Sequence, residues 1–133
     1  MDDLMERYVA LWNEPDAAAR EAAVRSLWTP EGAQLLQAPL ELRERAAALG
    51  FPAPVLTVRG HAELVTRVSR AYEEFVLGGG YRFRSRGTPA RVADAFKLGW
   101  EMVDGAGNVA GGGTDILLLD LAGRIVTDYQ FVD

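Results

Sequence analysis

Apolar residues recur at helical spacing through the first half of the chain and at strand spacing through the second. Leu4, Tyr8, Leu11 and Trp12 form one stripe, which predicts an opening helix. Asn13–Asp16, with Pro15, ends it, and Asp16 is a good N-cap for a second helix. That helix runs Ala17–Trp28, buries Val24, Leu27 and Trp28, and stops before Pro30. A short strand is expected over about Ala33–Gln37. A short helix with an exposed Glu/Arg face follows over Pro39–Leu49, then a proline-broken connection over Phe51–Pro54. Gly60-His61 opens a third long helix with Leu64, Val65, Val68, Tyr72, Phe75 and Val76 on one side. Gly78–Gly80 ends it.

From Tyr81 the period changes to two. Tyr81–Arg86 alternates aromatic residues with arginine. A long strand is expected over about Arg91–Val103, with Val92, Phe96, Leu98, Trp100 and Met102 on one face. Asp104–Asn108 is a turn, Val109–Asp120 a strand, Leu121–Gly123 a tight loop and Arg124–Val132 the last strand. Helices first and an antiparallel meander afterwards is the α+β pattern, with helices on one face of a curved sheet.

Composition narrows the chemistry. At 133 residues the chain is one domain, 1–133, with no internal repeat or long linker. It has no cysteine, which removes disulfide scaffolds, thiolate zinc sites and thiol nucleophiles. A single histidine, His61, leaves no multi-histidine metal centre. No metal or cofactor is therefore expected. The net charge of −5 argues against nucleic acid or an anionic membrane as partner. The acidic MDDLMERY start is not a signal peptide, and no apolar run is long enough to span a bilayer, so a cytoplasmic protein is expected.

Two segments carry a family resemblance. One is ERYVALWNEPD (Glu6–Asp16) with a second helix ending in LWTPEGA (Leu27–Ala33). The other is TDILLLDLAGRIVTDYQF (Thr114–Phe131). With the element order, they resemble the nuclear transport factor 2-like superfamily, which holds ketosteroid isomerases, SnoaL-like cyclases, epoxide hydrolases, dehydratases and non-catalytic transport factors. The resemblance covers the whole chain, least well over residues 38–59. It implies a cone: a curved, mostly antiparallel sheet with three main helices of the N-terminal half on its concave side. The superfamily shares a fold and not a reaction. Against the ketosteroid isomerases, Tyr8 and Asp115 match the two oxyanion donors, Asp115 within D-x-x-x-x-D-x-x-G-R-I-V. The family's base position is Gln37 or Ala38 here, and neither takes a proton, so isomerisation by that route is not expected.

The acid and base candidates are Asp115, Tyr8, Asp94 and His61. Asp115 adjoins the Ile116–Leu119 run, an expensive place for a charge. Strand register decides its role. With Lys97 opposite, Asp115 forms a cross-strand ion pair; with Leu98 opposite, it shares the Trp100 face. Asp94 interrupts an apolar face and is either a base or a solvated rim residue. His61 is either a proton shuttle or a capping group. Trp12, Trp28, Phe96, Trp100 and Tyr129 are the candidates to line a ligand cavity, although tryptophans are more often plain core. Gly111–Gly113 either bends the sheet around the cone or leaves room for Trp100 to lie flat across the strand. Arg82, Arg84 and Arg86 read as a solvated stripe. The last strands are apolar on both faces, which predicts a homodimer through the sheet. The expected function is binding of a small apolar or amphipathic molecule, with cofactor-independent acid–base chemistry of isomerase, cyclase, dehydratase or hydrolase type. The alternative is a filled cone acting as a non-catalytic binding or dimeric interaction module.

Overall fold

The amphipathic stripe and the Asp16 cap produce the two helices the sequence predicts. In the computed structural model, which describes residues 3–133, α1 spans Leu4–Asn13 and α2 spans Ala17–Leu27, with the Asp16 carboxylate accepting from the Ala19 amide. Next come β1 (Trp28–Gln37), α3 (Leu40–Ala48), β2 (Val55–Arg59) and α4 (His61–Ala71). α4 loosens into a π-helical segment, Tyr72–Leu77. The rest is β3 (Arg82–Val92), β4 (Ala95–Val103), β5 (Val109–Leu119) and β6 (Ile125–Val132).

The six strands form one curved sheet in the order β2-β1-β6-β5-β4-β3. All neighbours are antiparallel except β1 and β6, which run parallel. The fold is α+β, as expected. Breaks in register between Arg86 and Ala90, Met102 and Val103, and Leu118 and Leu119 bend the sheet around the helices. Leu4, Leu11, Val24, Leu27, Leu64 and Val68 from the helices meet Phe96, Leu98, Leu117 and Ile125 from the strands in one core. Asn13 at the end of α1 ties that helix to β3: its carbonyl accepts from Phe83 N at 2.8 Å and its amide donates to Phe83 O at 2.6 Å.

Three elements differ from the expectation. The segment read as one strand from Arg91 is two strands joined by a turn at Ala93-Asp94, with Val92 paired to Ala95. Ala93 adopts a positive φ of 51° there, which no Gly or Asn announces. β1 begins at Trp28, well before Ala33. Val55–Arg59, given no element by its sequence pattern, is the edge strand β2.

Candidate functional site

Tyr8 faces inward because its α1 stripe does, and its ring packs on those of Trp12 and Trp28. Asp115 faces inward because β4 and β5 pair with Leu98 opposite Asp115. Lys97 instead sits opposite Ile116, so the cross-strand ion pair does not form. Trp100 lies over Gly113, where a Cβ would fall 2.7 Å from its ring. That placement lets Trp100 Nε1 donate to Asp115 Oδ1 at 2.7 Å.

A second carboxyl completes the cluster. Asp128 of β6 shares the face of Gln130, which pairs opposite Asp115. Tyr8 Oη lies 2.8 Å from Asp115 Oδ2 and 2.5 Å from Asp128 Oδ2. Both aspartates are fully buried, at 0% exposure. A phenol has one proton and cannot donate to two carboxylates at once. Burial first, and the charge of Asp115 second, push Asp128 well above the usual carboxylate range. Asp128 is therefore the acid that donates to Tyr8 Oη, and Tyr8 donates to Asp115. The free oxygen of Asp128, Oδ1, is sealed with no partner, a tolerable state for a neutral carboxyl and a costly one for half a carboxylate. Asp115 receives donors from Tyr8, Trp100 and, at 3.5 Å, Gln130. The same burial and the two nearby carboxyls hold the Tyr8 hydroxyl well above its ordinary value, so it remains a phenol.

Two glutamines connect this cluster to one cation. Gln34 of β1 donates to Asp128 Oδ2 at 3.1 Å, and its carbonyl accepts from Arg67 Nε at 3.2 Å. The Gln130 carbonyl accepts from Arg67 Nη2 at 3.2 Å. Arg67, on α4, stacks 5.3 Å above the Trp12 ring. Burial lowers the affinity of its guanidinium for its proton, while Tyr8, Asp128, Asp115 and Glu74 act in the opposite direction.

An open cavity of about 300 Å³ adjoins the cluster. Its wall is mainly apolar, from Val9, Trp12, Leu36, Phe75, Phe83 and Met102, with Tyr8, Trp100, Arg67, Gln37 and Gln130. Asp115 and Asp128 lie just behind that wall and do not line it.

The sequence-predicted residues divide accordingly. Tyr8, Asp115, Trp12 and Trp100 come together. Asp94 is exposed in the β3–β4 turn, at the opposite end of β4 from the cavity-lining Met102. His61 is the first residue of α4 and makes no capping bond there, its ring lying between the Trp28 carbonyl at 2.9 Å and Arg25 Nη1 at 3.3 Å. Neither reaches the cavity, so neither is placed to act as its base. Trp28 and Phe96 are core beneath the site, and Tyr129, one residue from Asp128 in β6, points to the outer face. Gln37 lines the cavity, with its Oε1 accepting from Val132 N at 3.1 Å, and Ala38 is buried. Asp128, Gln34, Arg67 and Gln130 were not singled out by sequence. Among the described residues no acidic or histidine group is arranged to hold a metal ion.

Solved structures give this architecture a place. The whole fold superposes on a "putative isomerase of the SnoaL-like family" from Agrobacterium tumefaciens, with a TM-score of 0.77, 25% identity, and 98% of this chain and 94% of that one covered. This is the nuclear transport factor 2-like fold, in its SnoaL-like form. An NTF2-like protein of unknown function from Exiguobacterium sp. 255-15 matches at TM-score 0.61 and 19% identity, covering 98% of each chain. A "putative polyketide cyclase" from Sinorhizobium meliloti matches at 0.63 and 11%, covering 98% of this SnoaL-like chain and 95% of its own. No protein-family model matches the chain, and no curated protein matches it. No helix among the described residues is long and apolar enough to cross a membrane.

Proposed function

We propose that this SnoaL-like protein is a cofactor-independent acid–base enzyme that binds a small, largely apolar molecule in its cone. The observation that carries this reading is the Tyr8–Asp115–Asp128 cluster directly behind the cavity wall. It combines a carboxyl kept protonated by burial with a second carboxyl surrounded by donors, the pairing from which one fold draws both an acid and a base. The longest bond of the set, Gln130 to Asp115 at 3.5 Å, is the easiest to exchange for a ligand oxygen or a C–H proton. Asp115, the carboxylate of the set, then takes the proton, and Tyr8 and Asp128 adjust to the change in charge. The cavity volume is at the lower end for small-molecule sites, which suits a compact ring compound.

A binding-only reading draws on a different observation, the complete burial of both carboxyls. The two readings separate in one experiment. Aryl and cyclic ketones are incubated with the protein in D₂O, and exchange of their α-protons is followed by NMR. The enzyme reading expects exchange above the buffer rate that is lost in Asp115→Asn, with ligand-induced tryptophan fluorescence changes retained. Binding without exchange in the wild-type protein leaves the cone as a binding module only.

We further propose that the outer sheet face carries a homodimer contact. Tyr129 and Phe131 are half-exposed there beside Ile116 and Leu118.

A further inference from the structure

The cavity wall has an unbalanced hydrogen-bond inventory. Among its polar side chains each acceptor oxygen already has a partner. The carbonyl of Gln130 takes Arg67 Nη2, the carbonyl of Gln37 takes Val132 N, and the Tyr8 oxygen is enclosed between two carboxyls. Donors remain. Arg67 carries five N–H groups and uses its Nε and Nη2 on glutamine carbonyls, with no bond from Nη1. Gln37 makes no bond through its amide nitrogen. Neither nitrogen is sealed, so both are accessible. Arg67 is the one charged residue of the described cavity wall, and no carboxylate forms an ion pair with it. The nearest carboxyls lie one glutamine further on, and Glu74, the remaining acid that acts on it, is exposed. Its guanidinium lies over the Trp12 ring, which also lines the cavity, and its Nη1 carries no bond.

Resting on the reading of the cone as a ligand site, we propose that its ligand is an amphipathic organic anion, with a carboxylate set against Arg67 Nη1 and Gln37 Nε2 and an apolar body against Trp12, Phe75 and Phe83. A neutral ligand of the same shape leaves a partly desolvated cation without an acceptor, and the anion supplies one. Burial of the guanidinium, which works against its charge, makes that compensation larger than it is in water.

Matched probes test this: 2-naphthoate and 2-naphthamide, titrated calorimetrically into the wild-type protein, Arg67→Gln and Arg67→Lys. Charge-assisted bonds predict that wild type favours the acid over the amide by about ten- to a hundredfold. The ratio falls to within about threefold in Arg67→Gln and is partly kept in Arg67→Lys, which holds the charge without the planar fork. Gln37→Leu lowers the ratio by a smaller factor. Circular dichroism checks the fold of each variant. Equal binding of acid and amide by the wild-type protein overturns the anion assignment and leaves the cavity reading standing. Binding of neither probe overturns both.

Discussion

Replacing Asp128 with Asn distinguishes a buried acid from a buried carboxylate. The Asp128 and Tyr8 oxygens are 2.5 Å apart, at the short limit even for O–H···O and too short for an amide N–H, which needs about 2.7 Å or more. The variant must open the contact by a few tenths of an ångström and accept a weaker bond. Where Asp128 is neutral in both folded and unfolded states, below about pH 3, this costs about 1 kcal/mol. At higher pH the sign reverses. The unfolded chain releases the Asp128 proton near 3.8, while burial and Asp115 hold the folded value well above that. The unfolded state then binds fewer protons than the folded state, so wild-type stability falls as pH rises. The folding constant drops about tenfold per pH unit until the folded pKa is passed. Asparagine has no proton to release and lacks this slope. The variant's deficit therefore shrinks as pH rises above the unfolded value and reverses once the lost slope exceeds the weakened bond. Urea denaturation of both proteins at several pH values, followed by tryptophan fluorescence, measures the difference with most other titrations cancelling. A variant less stable by a constant amount at every pH would refute the assignment, because Asp128 would then ionise in the fold as it does in the unfolded chain.

Tyr8→Phe keeps the ring in the core and removes the bridge between the two carboxyls. A loss of about 2–3 kcal/mol is expected in the same assay at neutral pH, and a loss under 1 kcal/mol would mean that the bridge contributes little. Gly113→Ala puts a methyl group 2.7 Å from the Trp100 ring and against the Phe131 carbonyl. It should displace Trp100 from Asp115, cost about 1–3 kcal/mol, and change the near-UV circular dichroism; an unchanged spectrum contradicts the packing. Light scattering at micromolar concentration should give about twice the 14.5 kDa chain mass, and Phe131→Asp should return it to the monomer value. A monomeric wild-type protein removes the dimer proposal.

Much of the helical half was legible because its apolar stripes and the Asp16 cap agree with each other. Tyr8 and Asp115 were legible through the family pattern. The side to which Asp115 points was not, because a one-residue slip reverses a strand and only the β4–β5 pairing resolves it. Asp128 was lost to the same periodicity. In Thr127–Phe131 the aromatics Tyr129 and Phe131 alternate with Asp128 and Gln130, and a binary pattern assigns the aromatics to the interior. The fold does the reverse, since its interior at that point is a polar site and its outer face is apolar. Once Asp115 is fixed inward, its pairing with Gln130 turns Asp128 inward too, so the signal lay in register rather than composition. Arg67 and Gln34 are single polar residues on a helix and a strand, and only their convergence on the carboxyls distinguishes them. Asp94 is a residue type that turns favour, but Ala93, which takes the positive φ, is not, so the hairpin that moves Asp94 to solvent was only half announced.

The parallel pairing of β6 with β1 has a kinetic consequence. β6 is the last strand made, yet it sits in the interior of the sheet, between β1 and β5. Until it is available, β2-β1 and β5-β4-β3 are separate sheet pieces with two unpaired edges, joined only through the helices that pack on both. The carboxyl–tyrosine cluster is likewise incomplete, since its bonds join residues 107 and 120 positions apart. A growing chain therefore cannot complete this fold progressively from its first residues. It must close late and in one step, across long sequence separations, with the slow nucleation that such closure imposes. The interval before closure is when its two open edges most need protection from other chains.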